Sequence, residues 1–433
     1  MKERIIFKTL IPLSLLFLSA GCASTSDNRS LSSSDTSRSI PDQLFTVPGE
    51  YIHHPDVYSL QLFRQGPANS APILRLDSSR QLLLRFDMLE SQSRQFRVTF
   101  THHNPDWSRS NLPPEFYLDS FSQAYFGGGQ RSRSQRPSYW HYEYTFPNRE
   151  ISFQASGNYM IRVEDFESGE LLFALPFFIH ENEGDIASST EVITTPRREM
   201  RIRHQTISRF TYPDFIETPQ FDLAFYFVQN QFWGRARKAD VFDTATPGQV
   251  HYEVSRKRAF TGDYEFLSLN LSRLAVDGPR ILDYRPDVIP PVVLLNVDVP
   301  GLTSAGRRNY ARPQTDPSAQ YGNVRFSLSP PESLLNGEEE FYLVGDFNNW
   351  TLRPSNRLTF DDSTGYWTAN AFIKQGTYSY KYVQVKNGRI LDLSLDDRFT
   401  KNRQEYTTFV YFRDPNRFYY RLLQVNTFYG DGN

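Results

Sequence analysis

The sequence predicts an all-β protein built from β-sandwich domains in series. From about residue 45 onward, apolar residues alternate with polar ones in successive segments, which places one face of each strand on a core and the other in water. Aromatic residues make up 15% of the chain, with 35 Phe and 25 Tyr, and suit such half-buried strands. Turn-forming residues separate the alternating segments, and no convincing helical periodicity is present.

The N-terminus has the features of a secretory signal peptide over residues 1–21. Basic residues at positions 2, 4 and 8 precede an apolar run from 10 to 20, and small residues stand directly before Cys22. The apolar run is shorter than the roughly 20 residues that a membrane-spanning helix needs. A cysteine at the cleavage point resembles the lipobox of bacterial lipoproteins, although Ser19 stands where leucine is usual. The resemblance implies that Cys22 is acylated and begins the mature chain.

The single cysteine also limits the chemistry that is open to an exported protein. Because the sequence contains no cysteine besides Cys22, it offers no intramolecular disulfide, thiolate metal site or cysteine nucleophile. Ala23 follows Cys22 where an Asp would retain many Gram-negative lipoproteins at the inner membrane, so we expect an outer-membrane lipoprotein. Residues 22–42 are rich in Ser and predict a flexible tether with an r.m.s. reach of about 25 Å.

Breaks in the alternating pattern divide the body into three predicted sandwiches. The first shows clear alternation at 96–101, 140–146 and 159–164 and ends at the polar segment 180–185. A segment after residue 300, rich in Gly, Arg and Pro, has little to bury and predicts a linker or exposed loop. The predicted ranges are 43–182 for the N-terminal sandwich, 183–300 for the middle sandwich, 301–321 for the linker and 322–433 for the C-terminal sandwich.

Charge and histidine spacing argue against two classes of ligand. The formal net charge is −2, and about −4 without the signal peptide, whereas a nucleic-acid partner demands a basic face. His53-His54 and His102-His103 are neighbours on predicted strands, so the side chains of each pair point to opposite faces and do not chelate a metal. Without HExxH or comparable spacing, we expect no metal site and no nucleic-acid partner.

The motifs of common enzymes are missing from the sequence as well. The glycines at 127–129 are not followed by Lys-Ser/Thr or by a helix, so they predict a loop and not a phosphate site. The acid pairs at 361–362 and 396–397 fall at predicted hairpin tips, where Asp suits a turn. No GxSxG elbow is present. We therefore expect a protein without catalytic residues, cofactor or small-molecule substrate.

The most distinctive local motif lies in the C-terminal region. It runs from Phe341 to Trp350 (FYLVGDFNNW) and is followed by GTYSYKYV at 376–383 and by Asn-Gly at 387–388. These words resemble the starch- and glycogen-binding β-sandwich module of α-glucan enzymes and of the AMP-activated kinase β subunit. The resemblance implies an early-set, immunoglobulin-like sandwich in which Trp350 and Lys381 correspond to the glucan contacts.

Two other positions of that motif depart from the module. The module has a second aromatic residue on which the sugar stacks, and the corresponding position here falls near Ile390. The module also has an Asn pair later in its sequence, which is replaced here around 406–408. Losing a stacking face and a polar anchor leaves half a site. We therefore expect the fold without the sugar, with Trp350 structural first and ligand-facing second.

The mature body as a whole resembles the type IX secretion system plug protein family of the Bacteroidetes and related phyla, over about residues 50–425. His103 stands where many members carry Cys. The resemblance rests on the order of these words: LQLFRQG at 60–66, QLLLRFD at 81–87, TFTHHNPDW at 99–107, EFYLDSF at 115–121, HYEYTFPN at 141–148, SGNY at 156–159, GDFNNW at 345–350 and RFYYRLL at 417–423.

Two functions follow from these resemblances. The plug family implies a non-catalytic periplasmic protein that binds and seals the periplasmic mouth of a very large outer-membrane β-barrel translocon. The alternative is an outer-membrane lipoprotein that captures α-glucan through its C-terminal module. Co-purification with a giant barrel supports the first hypothesis, and retardation on amylose or glycogen supports the second.

Overall fold

In the part of the chain that the structure describes, six β-sheets pack in three facing pairs. The computed structural model describes residues 45–430 except 53, 67–69, 120, 135–136, 195–201, 263, 277–279, 330–339, 387–388 and 393–402. Strands dominate these residues, and the only α-helix among them, α1, has four residues (Pro219–Asp222). The predicted all-β class is confirmed. The predicted signal peptide, the tether and Cys22 lie outside the described residues.

The first sandwich contains the strands up to residue 180. A short 3₁₀ helix, Pro114–Phe116, precedes β5. One sheet has the order β1-β3-β7-β6 and the other β2-β9-β8-β4-β5, with β2 parallel to β9. The strands are β1 (Val57–Arg64), β2 (Ile73–Arg75), β3 (Leu82–Met88), β4 (Phe96–His103), β5 (Gln123–Phe126), β6 (Gln130–Arg131), β7 (Trp140–Phe146), β8 (Gly157–Asp165) and β9 (Leu171–His180).

Alternation in this sandwich follows the sequence pattern with one informative exception. Phe96, Val98 and Phe100 of β4 point into the core while the residues between them are half-buried. On β8, however, Met160 is buried although it faces away from that core. The second sandwich covers the outer face of this sheet at Met160, whereas Arg162 and Glu164 on the same face of β8 are half-buried.

The second sandwich is built from two distant parts of the chain. Its sheets have the orders β10-β11-β15-β14, with β16 beside β11, and β13-β12-β27-β28. Its strands are β10 (Asp185–Thr194), β11 (Ile202–Thr211), β12 (Leu223–Gln229), β13 (Arg237–Lys238), β14 (Val241–Asp243), β15 (Gln249–Glu253), β16 (Phe260–Thr261), β27 (Gln404–Arg413) and β28 (Tyr420–Gly430), with 3₁₀ helices at Trp233–Arg235 and Arg256–Arg258.

The third sandwich lies between these two parts in the sequence. One sheet is centred on β25, which pairs with β17, β20, β22 and β26, and the other has the order β18-β19-β21-β24-β23. Its strands are β17 (Leu267–Asn270), β18 (Ile281–Arg285), β19 (Val292–Leu295), β20 (Arg312–Pro313), β21 (Tyr321–Leu328), β22 (Glu340–Gly345), β23 (Thr359–Asp361), β24 (Tyr366–Lys374), β25 (Gly376–Lys386) and β26 (Arg389–Asp392), with 3₁₀ helices at Asp346–Asn348 and Pro354–Asn356.

The predicted ranges 183–300 and 322–433 do not coincide with the sheets. β17, β18 and β19 fall in the predicted middle range but pair within the third sandwich, whereas β27 and β28 fall in the predicted C-terminal range but complete the second. Alternation reports that a strand has a buried face and carries no information about which sheet it joins. The pairing of β12 with β27, some 180 residues apart, could therefore not be predicted from the pattern.

Part of the segment 301–321, which the sequence predicted as a linker or exposed loop, packs against the third sandwich, whereas other residues of it, such as Leu302 and Arg307, are exposed. Ala311 and Ala319 are buried, and β20 pairs with the end of β25. These contacts are made by small side chains and by backbone hydrogen bonds. The sequence pattern did not predict them because it depends on large apolar residues.

The discontinuous second sandwich predicts how fragments will fold. A fragment of residues 322–433 lacks β17 to β20 and carries β27 without its partner β12, so we expect no cooperative thermal transition. A fragment of residues 264–392 contains every strand of the third sandwich and should show one. Circular dichroism during heating compares them, and cooperative unfolding of the 322–433 fragment would contradict the strand assignment.

Candidate functional site

Trp350, a predicted sugar contact, follows a tight turn at the end of β22. Asn349 and Trp350 both have left-handed backbone conformations, with φ of 51° and 59°. The Trp350 backbone N–H donates to the Gly345 carbonyl (3.0 Å), and its Nε1 donates to Asp346 Oδ1 (3.0 Å). Gly345 is required because a Cβ there would lie 2.8 Å from the Phe347 and Tyr380 side chains. The GDFNNW motif thus turns the indole back towards the protein.

The Trp350 side chain is covered by groups from all three sandwiches or their connections. It is 5% exposed, and its ring lies 5.8 Å from Phe45, 5.0 Å from Phe232 and 5.5 Å from Phe266. The Arg308 guanidinium lies 4.8 Å from the ring centroid. An indole enclosed in this way presents no open face on which a sugar ring could stack.

Lys381, the second predicted sugar contact, is also enclosed. Its Nζ lies 3.3 Å from the Tyr264 ring centroid and 3.5 Å from Asp392 Oδ1. Asp392 also accepts hydrogen bonds from Tyr264 (2.7 Å) and Arg235 (3.2 Å). Burial lowers the pKa of Lys381, against the attraction of Asp392. For Asp392, burial raises the pKa, but Lys381, Arg235 and the Tyr264 hydrogen bond outweigh it and lower the pKa to about 2.

The structure brings the two predicted residues together in the interior. Both contact the Phe266 ring, at 5.5 Å from the Trp350 ring and 5.4 Å from Lys381 Nζ. Ile390, at the position of the lost aromatic platform, is buried in the same cluster. Tyr406, at the position of the lost Asn pair, belongs to β27 of the second sandwich. The glucan half-site of the sequence is thus an inter-sandwich contact in the structure.

We expect Trp350→Ala to lower the free energy of unfolding by about 3–5 kcal/mol, because the enclosed indole would leave a cavity. Phe360→Ala is the control, since Phe360 is 48% exposed and should cost little. Urea denaturation of both variants measures the difference. A Trp350→Ala variant that keeps its stability but loses retardation on amylose would show that the indole is a sugar platform.

A buried ion pair joins the first and third sandwiches. Asp87 of β3 is fully buried, and its Oδ2 lies 2.7 Å from Lys374 Nζ of β24. The same oxygen accepts from Tyr321 Oη (2.6 Å), and Oδ1 lies 2.5 Å from His141 Nδ1. One signal was present in the sequence, an Asp between the apolar residues Phe86 and Met88 of a predicted strand, but nothing indicated its partner.

Breaking this pair should destabilise the protein strongly. Asp87→Asn leaves the Lys374 ammonium buried without its counter-charge, and we expect a loss of about 3–5 kcal/mol in the free energy of unfolding. Asp283→Asn makes the same chemical change in the exposed pair with Arg285 and should cost under about 1 kcal/mol. Equal losses in the two variants, measured by urea denaturation, would remove the special role of Asp87.

A partly open pocket of about 170 Å³ lies between the three sandwiches. Glu50, Pro176, Phe232, Tyr310 and Trp350 are among the residues that line it. Burial raises the pKa of Glu50 to about 8, although a hydrogen bond from the Val47 N–H (3.0 Å) opposes the shift. A carboxyl group with this pKa is mostly protonated at neutral pH, which removes the cost of a buried charge.

The predicted histidine pair on β4 is structural. His102 is buried, and its Nδ1 and Nε2 lie 2.8 Å from Ser110 Oγ and 3.0 Å from the Ser156 carbonyl oxygen. Burial lowers the pKa of His102 to about 4. His103, on the opposite face, lies 2.9 Å from the Trp107 carbonyl. Within the described ranges, no group of three or more His, Cys, Asp or Glu side chains is placed to hold a metal ion.

Aromatic side chains are exposed on the first sandwich around the edge strand β5. Phe121, Tyr125 and Phe166 are 69%, 47% and 52% exposed, and the rings of Tyr125 and Phe166 lie 5.5 Å apart. We call these three residues the β5 surface. β5 pairs only with β4 among the described strands, so its outer edge has no strand partner there. The sequence pattern did not predict this surface, because an aromatic residue in an alternating segment can lie on either the buried or the exposed face of a strand.

The comparison with known families concerns this same sandwich. Residues 57–181 match the family model "Type 9 secretion system plug protein 1st domain". The matched range contains every strand of the first sandwich. It supports the predicted plug family but does not reach residues 322–433, whose resemblance to the glycogen-binding module stays a prediction. No curated protein matches the chain.

The fold is shared with a solved structure. A hypothetical protein from Parabacteroides merdae ATCC 43184 superposes with a TM-score of 0.76 at 21% identity, covering 88% of this chain and 99% of that one. A biofilm-associated protein BSP domain (TM-score 0.18, 9% identity, 89% of this chain and 61% of that one) is too dissimilar to bear on the fold. Among the described residues, no helix is long and apolar enough to span a membrane.

Proposed function

We propose that this protein is a non-catalytic plug that binds and seals the outer-membrane translocon barrel of the type IX secretion system from the periplasm. The observation that carries the proposal is the match of residues 57–181 to the first domain of type 9 secretion system plug proteins. The ordered words of the sequence extend the same resemblance over about residues 50–425.

The contacts between the sandwiches suit a sealing role. The first and second sandwiches share an apolar cluster that includes Phe178 and Phe409, whose rings lie 4.5 Å apart. Arg421 and Glu181 form an ion pair of 2.5 Å across the same contact. With the Asp87–Lys374 pair and the Trp350 cluster, every pair of sandwiches is joined through buried groups. A body braced in this way resists deformation, as a seal requires.

The β5 surface supplies the contact with the barrel in this proposal. Exposed aromatic residues are enriched at protein interfaces, where they bury a large area with little loss of side-chain entropy. An unpaired strand edge also accepts an added strand from a partner. Both features lie in the range that matches the plug family.

The lipid at Cys22 and the tether at 22–42 would keep the plug beside the barrel. A tether with a reach of about 25 Å confines the body near the outer membrane and raises its effective concentration at the periplasmic mouth. We expect Cys22→Ala to release the protein from the outer-membrane fraction.

The glucan-capture alternative has no support from the geometry of its two residues. Trp350 and the Lys381 side chain are both enclosed, at 5% and 4% exposure. Retardation of the purified protein on amylose or glycogen would revive it.

A permeability assay tests the plug function. Cells without this protein should become leaky to large dyes, because the barrel stays open, and cells that lack both protein and barrel should regain the barrier. A leak that persists without the barrel, or no leak at all, would overturn the proposal.

Co-purification with the barrel tests the β5 surface. The Phe121→Ser/Tyr125→Ser variant should no longer co-purify with the barrel. The control variant Phe242→Ser/Phe360→Ser changes two exposed aromatic residues elsewhere and should still co-purify.

A further inference from the structure

A second, larger cleft lies between the C-terminal hairpin of the second sandwich and the third sandwich. Its volume is about 490 Å³, within the range of ligand-binding clefts. One wall is lined by Arg403, directly before β27, by Glu405 of β27 and by Tyr429 of β28. The segment that includes Arg307 and Arg312 lines the other. The cleft is separate from the β5 surface, which belongs to the first sandwich.

The charges that line this cleft are unbalanced. Among the described residues that line it, four arginines, at 307, 308, 312 and 403, face one carboxylate, Glu405. Arg308 is neutralised by Asp346 at 2.9 Å. Arg307 and Arg312 are exposed, and no carboxylate among the described residues lies within ion-pair distance of either. The cleft therefore concentrates positive charge on a protein whose formal net charge is negative.

Glu405 does not cancel this charge at the open side of the cleft. Its Oε1 accepts hydrogen bonds from Tyr310 Oη (2.7 Å) and Gln231 Nε2 (2.9 Å), and its Oε2 accepts from Tyr429 Oη at 3.3 Å. Arg403 packs its guanidinium 4.2 Å from the Tyr429 ring centroid, which places it on the same wall. The carboxylate is thus held at the wall, and Arg307 and Arg312 are left to a ligand.

We infer that this cleft binds an acidic peptide segment of a partner protein. Arginine guanidinium groups bind carboxylates through paired N–H donors, and several of them favour a ligand with several carboxylates. The exposed side chains of Ser268 and Asn309 also line the cleft, and they both donate and accept hydrogen bonds. Peptide N–H and C=O groups need both kinds of partner, whereas a phosphate needs donors alone. This mixed lining favours a peptide over a phosphate-bearing lipid, and the inference does not depend on the plug function.

Binding of a labelled hexaglutamate peptide to the full chain in detergent tests the inference. Fluorescence anisotropy in about 0.15 M salt, where long-range charge effects are screened, should show saturable binding, and a hexalysine peptide should not bind. Arg307→Gln/Arg312→Gln should weaken hexaglutamate binding by about tenfold or more. Arg131→Gln/Arg149→Gln removes two exposed arginines of the first sandwich and should change it by less than about twofold.

Three results would overturn the inference. Hexaglutamate that does not bind to the wild-type chain would exclude the peptide, and equal losses in both double variants would show that the attraction is non-specific. Vesicles of phosphatidylglycerol that bind through Arg307 and Arg312, while the peptide does not, would assign the cleft to an anionic lipid. Melting temperatures of the variants within a few degrees of wild type exclude misfolding as the cause of a loss.

Discussion

The antiparallel pairing of β12 with β27 holds the second sandwich together, and the placement of the third follows from it. The pairing runs without interruption from Leu223 opposite Phe412 to Gln229 opposite Tyr406. β27 then pairs with β28, so half of one sheet comes from the C-terminal hairpin. The strand before the third sandwich in the sequence, β16, and the strand after it, β27, both belong to the second sandwich. The third sandwich is therefore joined at both of its chain ends to the same neighbour.

The contacts between sandwiches differ in chemistry, and the difference has a physical meaning. The first and second sandwiches meet mainly through apolar side chains, such as Met160, Phe178 and Phe409. Besides the Trp350 cluster, the third sandwich meets its neighbours through ion pairs, Lys374 with Asp87 of the first sandwich and Asp392 with Arg235 of the second. Apolar contacts tolerate sliding, but a buried ion pair loses its partner when it slides, so the charged contacts define one relative position for the third sandwich.

The sequence predicted the local structure of this protein well and its long-range pairing poorly. The predicted alternation of β4 and β7 matches the alternating burial of their residues in the sheets, because such a pattern requires only that one face of the strand be buried. The assignment of β27 to the second sandwich escaped prediction, since period-two alternation is the same in every sheet. The residues of the GDFNNW motif were found, but their surroundings were not. The rings of Phe45 and Phe232, which cover Trp350, come from parts of the chain with no motif of their own.

The discontinuous second sandwich also determines the order in which the protein can take shape. A chain that emerges N-terminus first exposes all strands of the first sandwich early, and those of the third before residue 393. The second sandwich must wait for β28, which ends at Gly430. Until then β12 has an open edge and an apolar face that a chaperone or another chain can occupy. The middle domain of the sequence is therefore the last to mature, and its closure marks the moment at which the whole body becomes a single unit.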